Sequence, residues 1–211
     1  MLLVHGAATT GAVWDRLTPL LADLDLPLVA PDRRCTGDLG TEVAALARLA
    51  EGAVVVGVSG GATLGLALAA GPTRLAGAVL HEPAVGSMVP GLLDHVVAGY
   101  AADGVPGFAR ALYGPGWSPG MGPTDPGSVG RDLAMFRGFE PEPVAPGQGP
   151  VVVTVGADSP EPRHAAAEAL HERLGVEVRT LPGCVHFVQH DAPEALAVVV
   201  RDVVRRAELD H

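Results

Sequence analysis

No lysine, isoleucine or asparagine occurs anywhere in the 211 residues, and only 4% of them are aromatic. Without lysine there is no ammonium to reach a nucleotide's phosphates, so a Gly-rich, Lys-bearing phosphate loop is excluded. The 14 basic residues are all arginine and face 24 acidic ones, for a net charge of −10. An acidic chain with no basic stripe excludes nucleic acid and an anionic membrane surface as partners. No apolar run of transmembrane length and no signal-peptide pattern is present. Two cysteines, Cys35 and Cys184, are too few for a disulfide framework and read as reduced thiols of a cytoplasmic protein. No G-x-G-x-x-G follows a strand pattern, and His164 and His171 are two helical turns apart, too far for adjacent metal ligands. No cofactor and no metal are expected. The three missing residue types share AT-rich codons, which points to a GC-rich, bacterial gene.

What the chain does contain is 48% hydrophobic residues at a mean hydropathy of +0.30, so its core is built from Ala, Val and Leu. That length and hydropathy suit one domain with an insertion. Strand-like apolar runs are predicted at 2–4, 27–30, 53–58, 75–80, 150–155 and 176–181. Helical patterns at 13–24, 39–50, 62–70, 163–174 and 192–206 separate them. Strands alternating with helices predict an α/β protein: a mainly parallel six-stranded sheet inside a three-layer α/β/α sandwich. Working residues of such folds lie at the carboxyl ends of the strands. One connection breaks the rhythm. Residues 83–149 are rich in Gly and Pro, with helical patterns near 89–102, 107–113 and 128–139. They are expected to form a helical cap on a core made of 1–82 and 150–211. The cap would hold Tyr100, Phe108, Tyr113, Trp117, Phe136 and Phe139.

Chemistry concentrates at four strand ends. Gly57-Val58-Ser59-Gly60-Gly61 lies between a Val-rich strand and an Ala/Leu-rich helix, the setting of a nucleophile elbow that exposes a serine hydroxyl at the top of a sheet. Acyl transfer needs two N–H groups for a developing oxyanion. Gly60 N–H is one candidate, and Ala7 N–H, after Leu2-Leu3-Val4-His5-Gly6, is the other. His186, after the last strand run, is placed to serve as general base. His81 is a distant second, His5 reads as structural, and His95, His164, His171, His190 and His211 sit on a cap, outer helix or terminus. Cys184 reads as wall material beside the base. The base needs a carboxylate to fix its tautomer. Asp158, just past the fifth strand run, is the first choice, and Glu82, at the end of the fourth, is the alternative.

The His-Gly strand end, the elbow, the cap, the acid and His186 together resemble the α/β-hydrolase superfamily, in its order of serine, acid, histidine. The opening Leu3-Val4-His5-Gly6-Ala7 with Trp14 is similar to the small esterase, lyase and lactonase branch. The resemblance implies a minimal sheet lacking the family's first two strands. It also implies a serine hydrolase acting on a small-molecule ester, lactone or thioester, as a monomer or homodimer. A cofactor-free lyase or perhydrolase and a non-catalytic binding protein are the alternatives on the same scaffold. Two features depart from the pattern. The family's acid position, three residues after Gly156, is Ser159 here, and the loop 31–37 is poorer in glycine; Asp32 and Arg34 are expected to brace that loop.

Overall fold

The computed structural model describes residues 1–209. Five parallel strands lie side by side in chain order: β1 (Leu2–Val4), β2 (Val54–Val58), β3 (Gly77–His81), β4 (Val151–Gly156) and β5 (Glu177–Leu181). Every residue of β1, β2 and β3 is buried, as central parallel strands require when both faces are covered. The covering helices are α1 (Leu39–Ala50), α2 (Gly60–Ala70), α5 (Glu161–Leu174) and α7 (Pro193–Leu209). α2 packs on β2 and β3, α7 on β3, and α5 on β4 and β5.

Five strands are formed, not six. Of the expected strand at 27–30 there remains one parallel bridge, Val29 to Leu2, with Leu3 N–H donating to Val29 O at 2.8 Å. Pro27 and Pro31 flank that bridge and have no N–H to give, so the ladder cannot extend. The helix expected at 13–24 is likewise two 3₁₀ pieces, Gly11–Trp14 and Thr18–Leu24. Pro19, the second residue of the second piece, has no N–H with which to continue a preceding helix.

Residues between β3 and β4 contain no strand among those described. They carry α3 (Asp94–Tyr113) and α4 (Gly127–Arg137). α3 is two helices end to end, broken at Asp103 and Gly104, where φ/ψ leave the helical region just before Pro106. The short α6 (Val188–Asp191) follows the loop after β5. In the sheet register Val58 pairs with His81, His81 with Thr154, and Gly156 with Leu181. The carboxyl ends of β2 to β5 therefore bring residues 59, 82, 157 and 182 to one rim.

Candidate active site

Ser59 has φ 58° and ψ −122°, a left-handed conformation that a side-chain-bearing residue adopts only under constraint. Three bonds supply that constraint. Its N–H donates to His81 O at 2.9 Å, and its carbonyl accepts from Thr63 N–H (2.9 Å) and Thr63 Oγ1 (3.1 Å). The turn needs its glycines because strand and helix backbones touch there. A Cβ on Gly57 would lie 2.5 Å from the Gly61 carbonyl, and one on Gly61 would overlap the carbonyl of Val4. The expected elbow at the β2–α2 junction is formed.

The carboxylate beside the imidazole is that of Glu82. His186 Nδ1 lies 2.7 Å from Glu82 Oε2, with both side chains buried. Asp158 does not meet His186: its side chain is exposed, and only its backbone N–H reaches inward, to Cys184 O. The expectation favouring Asp158 is corrected on this point, and the alternative is the residue in contact. The reason is steric as much as electrostatic. Ser159, which stands where the family's acid usually lies, one residue past Asp158, points inward and donates its hydroxyl to Glu82 Oε1, which also accepts from Gly156 N–H at 3.1 Å. Burial pushes the Glu82 carboxyl up, but the His186 hydrogen bond, His81 and Arg163 outweigh it and hold the group well below the usual carboxylate range. Glu82 itself has φ 48°, so this strand end, like that at Ser59, is a strained corner.

An ionised carboxylate only accepts, so Nδ1 of His186 carries the proton and Nε2 presents its lone pair. Nε2 is buried without a hydrogen-bond partner among the described residues. Burial first, then the Arg163 charge, lower the imidazole pKa to about 4, against the pull of Glu82. Ser59 Oγ and His186 Nε2 make no direct hydrogen bond; such bonds are commonly loose until substrate tightens them.

The other histidines are engaged elsewhere. His81 Nε2 donates to Val185 O at 3.2 Å while Nδ1 meets Thr154 Oγ1 at 3.0 Å. His5 Nε2 accepts from Arg33 N–H at 3.0 Å, so its Nδ1 donates to Gly6 O. Burial lowers its pKa to about 3, which keeps it neutral. His164 meets Ser159 O, His171 meets Val176 O, and His190 pairs with Asp191. His95 lies on α3, and His211 is outside the described residues. Both cysteines are free and buried, and burial raises their thiols, Cys35 to about 12 and Cys184 to about 11. Neither is a thiolate near neutral pH.

Gly60 N–H, at the first turn of α2, and Ala7 N–H have no protein acceptor among the described residues. Both residues line a small cavity of about 20 Å³, room for about one water, with Ser59, Glu82 and Arg163. Apolar side chains of α3 and α4, among them Val96, Phe108 and Phe136, complete its wall. A second cavity of about 320 Å³ holds His186, with Glu82, Leu112 and Arg163 common to both. Tyr113, at the end of α3, stands at the junction. Its ring stacks on His186 (5.8 Å between centroids, 25°), and its hydroxyl donates to Ala7 O at 2.5 Å. Trp117 Nε1 donates to Ala8 O at 2.8 Å, so two aromatics brace the loop that carries the Ala7 amide. Sequence reasoning missed Tyr113 and Arg163 as parts of the site. Arg163 had a faint signal, an arginine in the first helical turn after a strand end, which is the wrong end of a helix dipole for a cation.

The loop after Ala30 is braced by Asp32, whose Oδ1 accepts Gly11 N–H at 2.7 Å, but by Arg33 rather than Arg34. Arg34 is exposed. Arg33 is buried, 2.5 Å from Asp132 of α4 and 3.4 Å from Glu42 of α1.

A family model described as "Alpha/beta hydrolase family" matches residues 1–199. No curated protein sequence matches the chain. Among solved structures, a thermophilic esterase from Thermogutta terrifontis superposes with a TM-score of 0.71 at 19% identity, over 98% of this chain and 89% of its own. A carboxylesterase structure from Nitrososphaera gargenis gives 0.72 at 17% identity, over 100% and 91%. An epoxide hydrolase, CorEH, gives 0.71 at 17% identity, over 97% and 90%. At such identities the likeness is one of fold.

Proposed function

The chain belongs to the alpha/beta hydrolase family, and on that premise we propose that it is a serine hydrolase of small carboxylic esters, with a Ser59-His186-Glu82 triad. The observation that carries the reading is the Glu82–His186 pair, which leaves Nε2 unpartnered on the same rim as a serine held at positive φ. Esterases and an epoxide hydrolase share this fold, so the fold does not choose the chemistry. The serine at the elbow supports the ester reading, because a serine hydroxyl needs a neutral imidazole to take its proton and burial keeps His186 neutral.

In the proposed reaction Ser59 Oγ attacks the ester carbonyl as His186 Nε2 accepts its proton. Glu82 holds the ring and stabilises the imidazolium. The tetrahedral oxygen accepts from the Gly60 and Ala7 amides, the first aided by the N-terminal end of α2. Collapse expels the alcohol, protonated by His186, and water then attacks the acyl-serine by the same route to release the acid. Residues 83–149 serve as the cap that closes the acyl cavity. Lactones and thioesters present the same carbonyl and fall within the proposal.

A fluorophosphonate probe is expected to label the wild type at Ser59 and to leave Ser59→Ala unlabelled. Hydrolysis of p-nitrophenyl acetate and butyrate should vanish with it. Full ester hydrolysis by Ser59→Ala would overturn the assignment, and a folded wild type that neither labels nor hydrolyses would indicate a binding protein.

A further inference from the structure

We infer that Tyr113 stands in the place of the reacting ester, that an ester must displace it to reach Ser59, and that its ring thereby sets which acyl groups are accepted. This rests on the serine-hydrolase reading above and names the specificity determinant of the same site.

In the described conformation the nucleophile and its base face different spaces. Ser59, Gly60 and Ala7 share a cavity with room for about one water. An ester carbonyl with its two substituents is several times larger. His186 lines the neighbouring cavity of about 320 Å³, and Ser59 does not. Glu82, Leu112 and Arg163 line both, so the two cavities abut.

Tyr113 is the partition. Its ring stacks on His186 and packs on Phe187, with 5.8 Å and 4.7 Å between centroids. Its hydroxyl donates to Ala7 O. A Cβ built on Gly6 would stand 3.0 Å from both Ser59 Cβ and the Tyr113 hydroxyl, so serine and phenol are neighbours across that glycine. Burial raises the phenol pKa, and the adjacent Ser59 hydroxyl pulls it back only in part, so the partition stays neutral. A reacting carbonyl carbon needs a point about 3 Å from both the nucleophile and the oxyanion donors. The phenol fills that neighbourhood, between the Ser59 hydroxyl, the Ala7 loop and the imidazole. It also accounts for the buried Nε2 that has no hydrogen-bond partner among the described residues: an aromatic ring covers the imidazole in place of a serine hydroxyl.

A way out exists for the ring. Its hydroxyl is latched by the bond to Ala7 O, and a neutral bond of that kind shifts an equilibrium about two- to tenfold. Tyr113 is the last residue of α3. Gly114 follows at φ 62° and ψ −149°, backbone that glycine alone adopts readily, and beyond its chain neighbours no atom lies within 4 Å of where its Cβ would stand. Tyr113 also lines the larger cavity, which has space to receive it. Once the ring leaves, Ser59, the two amides and His186 face one chamber. Val96, Phe108, Leu133 and Phe136 still wall the Ser59 side, so the acyl group that enters is about the size of the ring it displaces.

The test compares p-nitrophenyl acetate with p-nitrophenyl hexanoate. The wild type should favour acetate in kcat/KM. Tyr113→Ala should raise the hexanoate-to-acetate ratio at least tenfold, because the space of the ring passes to the acyl chain. Tyr113→Phe keeps the ring and loses the latch, so its ratio should stay within about twofold of the wild type. Equal losses on both esters in Tyr113→Ala would make Tyr113 only a brace for the Ala7 loop and overturn the inference. A ratio that moves as far in Tyr113→Phe would also overturn it, by assigning the effect to the hydroxyl. One measurement needs no variant: a crystal structure of the wild type phosphonylated at Ser59 should show the ring off His186 and the bond to Ala7 O broken. A phosphonyl group seated with Tyr113 in place sinks this inference alone, whereas absence of labelling and of all hydrolysis sinks the hydrolase reading with it.

Discussion

Glu82 and Asp158 differ in one decisive respect, the direction of their side chains. Glu82 turns inward from a positive-φ corner onto His186, and Asp158 faces solvent. If the carboxylate orients the imidazole, Glu82→Gln should lower kcat on the order of 10⁴-fold, the size of a tautomer error in serine proteases. Asp158→Asn should leave kcat within about twofold, and a reversed order in steady-state kinetics would return the role to Asp158. The depressed basicity of His186 sets a second expectation. The base works when neutral, so kcat/KM rises with pH through the histidine's pKa and is flat above it. With that value lowered to about 4 by burial and Arg163, the rate at pH 6 should nearly equal the rate at pH 8. A histidine at the ordinary 6.5 would lose about fourfold over the same interval. A pH–rate profile with a limb near 6.5 would show that the ring is not desolvated.

At the scale of elements, the elbow is the part least tolerant of change. Gly61→Ala places a methyl against the Val4 carbonyl, backbone that cannot swing away as a side chain can. We expect a loss of about 1–3 kcal/mol or more in urea unfolding, the cost of forcing volume into a packed junction. Activity should fall further than stability, because β1 also carries the loop with the Ala7 amide. Chain breaks elsewhere follow proline. The strand at 27–30 is reduced to one bridge between two prolines, and α3 is broken just before Pro106. The apolar period anticipates the two helical pieces of α3, but at 27–30 it predicts a strand that does not form, because the missing N–H of the prolines decides how much of each segment becomes regular.

For the molecule as a whole, Arg33 is the bolt between the sheet's first loop, α1 and α4. It is buried against Asp132 and Glu42, with its guanidinium carbon 5.7 Å from the Phe136 ring centroid. Removing one partner of a buried pair strands the other charge, so Asp132→Ala should cost about 3–5 kcal/mol. Chemical denaturation checks this, and a loss below about 1 kcal/mol would mean that the pair is solvated in solution. Because Phe136 of α4 also lines the Ser59 cavity, the same variant should weaken ester hydrolysis. Among the described residues no helix is long and apolar enough to cross a membrane.

The order of elements, the parallel sheet, the serine at the turn and the histidine after the last strand were legible in the sequence. They depend on local features: the period of apolar residues, two glycines with no room for a side chain, and a strand end in each case. The partner of that histidine was not legible, because Glu82 and Asp158 both follow strands, and only packing turned one inward and let Ser159 fill the place of the other. The roles of Tyr113 and Arg163 were hidden for the same reason. They are set by contacts across 106 residues in one case and 81 in the other, and no local pattern records which distant side chains a folded chain brings together.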